Sequence, residues 1–329
     1  MRTHRALQLL LGSLFIAATA CSAGGSSSTS TSTTAGSGGG STTTSGTGGA
    51  GTGGSTTTAG TGGSTTTGTG GSGTGGSGTG GGAGTPGDHL LISEIGVAPA
   101  GGEFVEITNP TADTIDLGKY YLSDNSAYYG IAAGQAWNPV TSNPGTDFLA
   151  QFPAGTTLAP GASIVIATDP TFEMLYGKCP DFILAAAPLT CASGTAKAMV
   201  APANGGIGDK KGALISNDRE MIVLFSWDGS SPTIEDVDYV TWGVMFEDAT
   251  RVDKTGVAGY ASDTARASQS SAPAPTAGQS IERCGASPEP GEKTSGGNGL
   301  TGHDETSEAL NQSFKVQTLP TPGAKNSCM

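Results

Sequence analysis

The chain has 329 residues, of which 55 are glycine and only 13% are charged. Thirteen of its 15 basic residues and all 28 acidic ones lie from Asp88 onward, so residues 88–329 carry a net charge of −15. A surface that acidic repels phosphate backbones and anionic lipid, which argues against nucleic acid as a partner and leaves cation binding or plain solubility open.

The amino terminus reads as an address. Met1–Arg5 is basic, and Ala6–Ala20 is an apolar run too short to span a bilayer comfortably. It ends in Ala18-Thr19-Ala20-Cys21, small residues directly before a cysteine. This resembles the lipobox of bacterial lipoproteins, although Ala18 stands where leucine is commonest. Residues 1–20 are therefore expected to be a signal peptide and Cys21 the lipidated residue. The simpler alternative is an ordinary leader cut after Ala20. Ser22, in place of Asp, after the cysteine implies delivery to an outer membrane or the cell surface.

Ser22–Gly87 contains only Gly, Ser, Thr, Ala and one Pro. It has almost no apolar surface to offset the entropy of ordering it, so residues 21–87 are expected to form a disordered linker. As a coil, about 66 residues would span roughly 45 Å. Residues 88–329 are left for one folded domain, enough for a substantial core.

From His89 onward, short apolar runs alternate with Gly, Pro, Asn and Asp clusters, as strands alternate with turns. The runs predict strands at His89–Ile95, Glu103–Asn109, Ile115–Ser123, Ser163–Asp169, Glu220–Trp227 and Val237–Trp242. Thr157–Gly161 reads as a turn. Thr171–Tyr176 reads as one or two helical turns opened by Asp169-Pro170. Regularly spaced strands with almost no helix predict an all-β sandwich.

The ordered series of motifs resembles a known family. Leu91-Ile92-Ser93-Glu94-Ile95 is followed by Gly102-Glu103-Phe104-Val105-Glu106-Ile107-Thr108-Asn109, then by Asp116-Leu117-Gly118 and Leu122-Ser123-Asp124. Leu158-Ala159-Pro160-Gly161, Tyr176-Gly177, Leu214-Ile215-Ser216-Asn217-Asp218 and Val237-Asp238-Tyr239-Val240 come next. The series closes with Ser280-Ile281-Glu282-Arg283 and Thr321-Pro322-Gly323-Ala324-Lys325-Asn326. In this order the set is similar to the lamin tail domain family, whose fold is an immunoglobulin-like β-sandwich. Two long insertions depart from the compact pattern, Asn125–Asp147 and Gly243–Gln279. Both are expected to be loops, where a sandwich can acquire a partner or merely tolerate extra chain.

With Cys21 assigned to lipid, Cys179, Cys191, Cys284 and Cys328 form an even set in an exported protein. Three pairings are open. The sequential one, Cys179–Cys191 with Cys284–Cys328, is preferred because the second bridge would pin the polar excursion after Cys284. No pair has the spacing of a zinc knuckle.

Little in the sequence reads as chemistry. His89 precedes the first strand and is expected at the surface. His303, Asp304, Glu305 and Glu308 form the densest polar cluster, read as a solvated loop with a weak capacity for a divalent ion; neither metal nor cofactor is expected. Gly205–Gly212 lacks the spacing and helix of a phosphate loop. Glu94 and Glu106, on neighbouring strands, and Asp236 and Asp238, read as sharing one strand face, are expected to be framework residues and not a catalytic pair. The family resemblance implies an interaction module, and bacterial copies often accompany hydrolases. The expected protein is thus a non-enzymatic lipoprotein, anchored in the envelope membrane and displaying a binding or adhesion module toward a surface protein or glycan. Alternatives are a cation-dependent carbohydrate-binding or hydrolase-associated protein and a purely structural envelope protein. Tyr128, Tyr129 and Trp137 in the first insertion are the candidate binding loop, with a core lid as the other reading of Trp137.

Overall fold

A computed structural model describes residues 87–97, 99–135, 147–207, 214–243, 250–285 and 289–328. The leader, Cys21, most of the spacer and Trp137 lie outside them. Among the described residues the strands are β1 (Leu91–Gly96), β2 (Phe104–Thr108), β3 (Ile115–Asp116), β4 (Tyr120–Ser123), β5 (Leu149–Gln151), β6 (Thr157–Leu158) and β7 (Ser163–Ala167). There follow β8 (Phe182–Ile183), β9 (Leu189–Thr190), β10 (Thr195–Ala198), β11 (Glu220–Ser226), β12 (Glu235–Trp242), β13 (Ser280–Arg283) and β14 (Phe314–Gln317). Two short helices, α1 (Phe172–Tyr176) and α2 (Leu310–Ser313), complete the set. No described helix is long and apolar enough to cross a membrane.

One sheet runs β14-β13-β1-β2-β7-β8-β10-β9 and the other β12-β11-β4-β5, with β3 and β6 as a separate pair. Their facing sides build the main core, where Ile92, Ile95, Val105 and Ile107 meet Leu122, Ile222, Leu224 and Val240. This is the expected immunoglobulin-like β-sandwich. The third predicted strand, however, is broken in two. The Asp116 carboxylate accepts the Gly118 N–H at 2.9 Å and turns Leu117–Lys119 into a 3-10 turn between β3 and β4.

Strand β11 shows what the two insertions do. Its Ile222 and Leu224 face the main core, while Met221, Val223 and Phe225 point the other way, and all five are buried. The outward set packs with Tyr128 and Ile131 from the first insertion and with Val252 from the second. Each fully buried side chain of this size contributes about 1.5–3 kcal/mol, so the insertions serve as a second core layer. The segment 250–279 stays irregular apart from a 3-10 turn at Arg266–Ser268, yet it is packed. The eight-stranded sheet is covered too: α1 lays Phe172 and Tyr176 over Phe104. Gly177, with φ 70°, ends that helix by donating its N–H to the Glu173 carbonyl.

Buried acids tie distant segments to this frame. Glu103 Oε2 accepts the N–H groups of Leu214 at 2.9 Å and Ile215 at 3.2 Å, and the Thr168 hydroxyl at 3.2 Å. Burial pushes Glu103 up to about 7 in spite of these donors. A folded value above the unfolded one means its contribution is whole below the ordinary carboxylate range and is lost as pH rises through about 7. Urea titrations at pH 5 and pH 8 should therefore show about 2 kcal/mol less stability at the higher pH from this group. Glu103→Gln keeps the accepting oxygen and should flatten that part of the profile; an unchanged slope would refute the assignment.

Candidate functional site

Three glutamates stand side by side across the eight-stranded sheet, because Glu94 of β1 pairs in register with Glu106 of β2 and with Glu282 of β13. Each is spent on the chain's own end. Glu94 accepts the Ser280 hydroxyl at 2.5 Å and the Thr321 N–H at 2.9 Å. Glu106 accepts the Ser93 hydroxyl at 2.7 Å and the Gly323 N–H. Glu282 accepts the N–H and hydroxyl of Ser327, and Asn326 donates to the Ser93 and Arg283 carbonyls. The Cys284–Cys328 disulfide fastens the same strap, and Cys179–Cys191 closes a loop with a sequence separation of 12. Burial raises both Glu94 and Glu106, the latter to about 7.

The aspartates of β12 do not share a face. A bulge between the pairs Leu224↔Asp238 and Phe225↔Asp236 inserts one residue, and that turns the two side chains apart. Asp236 faces the insertion layer. There it accepts the Tyr128 hydroxyl at 2.6 Å and the Lys254 ammonium at 2.6 Å. Lys254 is 0% exposed and also donates to the Tyr128 oxygen at 2.9 Å. Burial and the neighbouring Asp236 hold the Tyr128 phenol well above its ordinary value. Tyr128 is therefore an interior residue and not a surface anchor. Tyr129 is half-buried, edge-on to both Tyr128 and Tyr260.

Asp238 faces inward and meets the other sheet. Its Oδ2 accepts the Ile92 N–H at 2.5 Å, and both its oxygens accept from Arg283 Nη2 at 2.8 and 2.9 Å. Arg283 Nη1 reaches Glu289 and Glu308 at 2.6 Å each, and Nε reaches the Ile92 carbonyl at 3.0 Å. All five N–H groups of this fully buried guanidinium are thereby used. Burial works against its charge, yet Asp238, Glu308 and Glu289 hold it above the ordinary arginine value. Burial likewise opposes the Glu289 charge, but Arg283 and His89 bring that carboxyl down to about 2.

Beside this ion cluster the two histidines of residues 88–329 come together. His89 and His303 are 6% and 7% exposed, with ring centroids 5.6 Å apart and planes nearly perpendicular. His89 is thus not a surface residue, and the loop bearing His303 is not solvated. The cause is tertiary. Asp304 N–H donates to the Lys293 carbonyl and Gly299 N–H to the His303 carbonyl, which closes the excursion after Cys284 on itself, and His303 Nε2 then stands 3.4 Å from Asp88 Oδ2 just before β1. Of the polar cluster, His303 and Glu305 turn into this region. Glu308 belongs to Arg283, and Asp304 turns aside to Lys293, Thr264 and Thr306. Asp88, Glu289 and Glu292 complete the surroundings. Sequence reasoning passed these three over because each stands alone among turn residues; the one available signal was a pair of histidines in acidic stretches.

An apolar cavity of about 860 Å³ opens along β8–β10, with Ile183, Leu184, Leu189, Met199 and Leu214 in its wall. Among the described residues its lining has no titratable side chain, so those residues offer shape and not chemistry.

Residues 83–243 match the family model described as Lamin Tail Domain. Comparison with curated proteins gives no match. Among solved structures, a DUF4876 family protein from Bacteroides thetaiotaomicron VPI-5482 is similar at a TM-score of 0.39 and 15% identity, over 74% of each chain. The matched region ends just after β12, so β13, β14 and the polar excursion that delivers His303 lie beyond it. Residues 83–243 are thus similar to a lamin tail domain, and β13 and β14 from the residues that follow join the same eight-stranded sheet.

Proposed function

We propose that this chain is a lipid-anchored envelope protein whose lamin tail domain is displayed on a long leash as a non-catalytic binding module. The observation that carries the non-catalytic part is the fate of Glu94, Glu106 and Glu282, each engaged by the carboxyl-terminal strap and so withdrawn from substrate. Two disulfides suit an oxidising compartment outside the cytoplasm. Lamin tail domains serve as interaction and tethering modules, which is the role taken here, toward a surface protein or glycan and not nucleic acid.

The test has two arms. Metabolic labelling with an alkyne fatty acid should mark the wild type and leave Cys21→Ser unlabelled; equal labelling of both would end the anchor assignment. The purified protein should turn over no nuclease, esterase or glycosidase substrate. A turnover abolished by Glu106→Gln or His303→Gln would overturn the binding-module reading. The cation-dependent alternative draws on one specific observation, the convergence of His89 and His303 among carboxylates.

A further inference from the structure

The region around Glu305 holds more ligand atoms than hydrogen bonds. The ligand atoms of His89, Glu289 and Glu305 lie within 4.8 Å of one another, and so do those of Glu292, His303 and Glu305. Glu305 belongs to both triads. It is 3% exposed, and its Oε1 has no hydrogen-bond partner. His89 Nε2 lies 3.0 Å from Glu289 Oε2, within ion-pair distance. A buried carboxylate oxygen left unpaired is costly in a folded protein and calls for an explanation. Charge points the same way, because Asp88, Glu289, Glu292 and Glu305 crowd round two histidines, and the one arginine nearby is already saturated.

The orientation of the histidines is fixed as ligating imidazoles commonly are. His89 Nδ1 is 2.7 Å from Asp88 Oδ1, and His303 Nδ1 is 2.9 Å from Glu292 Oε1. A carboxylate on one ring nitrogen sets the tautomer and raises the basicity of the other. Gly299 lies against the same carboxylate, since a Cβ there would stand 2.5 Å from Glu305 Oε1. Asp88, with a side chain 57% exposed, sets one edge of the cluster at the surface.

We propose that Glu305, with the imidazoles of His89 and His303 and the carboxylates of Glu289 and Glu292 beside it, binds a divalent transition-metal ion of the zinc class. Two imidazoles select against calcium and magnesium, which take oxygen ligands. The four cysteines of residues 88–329 are held in disulfides and offer no thiolate. The ion would join the residues before β1 to the excursion between β13 and β14, and so act as a clasp on the fold. This site is independent of the lipid anchor and of whichever partner the module binds.

The test uses the untagged full-length protein, stripped with EDTA and dialysed. Zinc chloride alone should be retained through gel filtration at one equivalent or more and should raise the melting temperature, while calcium chloride should do neither. Glu305→Gln and His303→Gln should each weaken zinc binding about tenfold or more. The metal-free melting temperature of Glu305→Gln should stay at or above that of the wild type, a result a purely structural carboxylate would not give. Imidazole proton–nitrogen spectra of the wild type serve if a variant fails to fold, since zinc should shift both His89 and His303. No zinc uptake, equal zinc affinity in folded variants, or unmoved imidazole signals would each overturn the proposal.

Discussion

Replacing Arg283 with methionine is expected to cost about 3–5 kcal/mol, because it leaves Asp238, Glu289 and Glu308 buried around a neutral side chain. For a domain of this size that corresponds to a fall of about 10–15 °C in melting temperature. The size comes from the orphaned carboxylates and not from the attraction of the pairs, so the loss should shrink when a partner is neutralised as well. Arg283→Met combined with Asp238→Asn should therefore lose less than the sum of the two single changes, with a coupling of about 1–3 kcal/mol. Additive losses would mean that the guanidinium acts mainly through packing, where it lies 4.6 Å from the Phe314 ring centroid. Thermal and urea unfolding of the three variants separate these outcomes.

Opening the Cys284–Cys328 bridge by a double change to serine should cost about 4 kcal/mol, from the entropy regained by a loop with a sequence separation of 44. The same change at Cys179 and Cys191, with a separation of 12, should cost about 3 kcal/mol. The two should also differ in kind. Without Cys284–Cys328, the strap at residues 321–327 keeps its hydrogen bonds to Glu94, Glu106 and Glu282 and those of Asn326 to the Ser93 and Arg283 carbonyls, but no covalent tie. Hydrogen exchange should then rise selectively at Thr321, Gly323 and Ser327, whose N–H groups these carboxylates accept. Uniformly faster exchange throughout the sandwich would instead show that the bridge acts on global stability alone.

The clearest sequence signals were also the ones that survived folding. Apolar runs such as Ser163–Asp169 and Glu220–Trp227 became β7 and β11, since a continuous Val/Ile/Leu run has to be buried on both faces. Short strands escaped notice. β8 and β9 are two residues each, too brief for any period to be read, and β6 lies in what read as a turn. The two insertions read as loops by composition, and their described parts form 3-10 turns and irregular chain; what composition could not express is that Tyr128, Ile131 and Val252 are absorbed into the face of a sheet.

Sequence by itself determined the class of the domain, because hydrophobic runs and turn residues are local properties that need no partner to be recognised. It also favoured the cysteine pairing that the structure contains, since loop length is counted along the chain. What only the tertiary structure decided is where charge goes. One bulged residue in β12 sends Asp236 and Asp238 to opposite faces. The return of the chain after β13 brings His303 and Glu305 to His89, a residue that looked like the exposed start of a strand. A carboxylate or an imidazole acquires its role from what stands within about 4–6 Å of it, and over 200 intervening residues that distance is set by the fold alone.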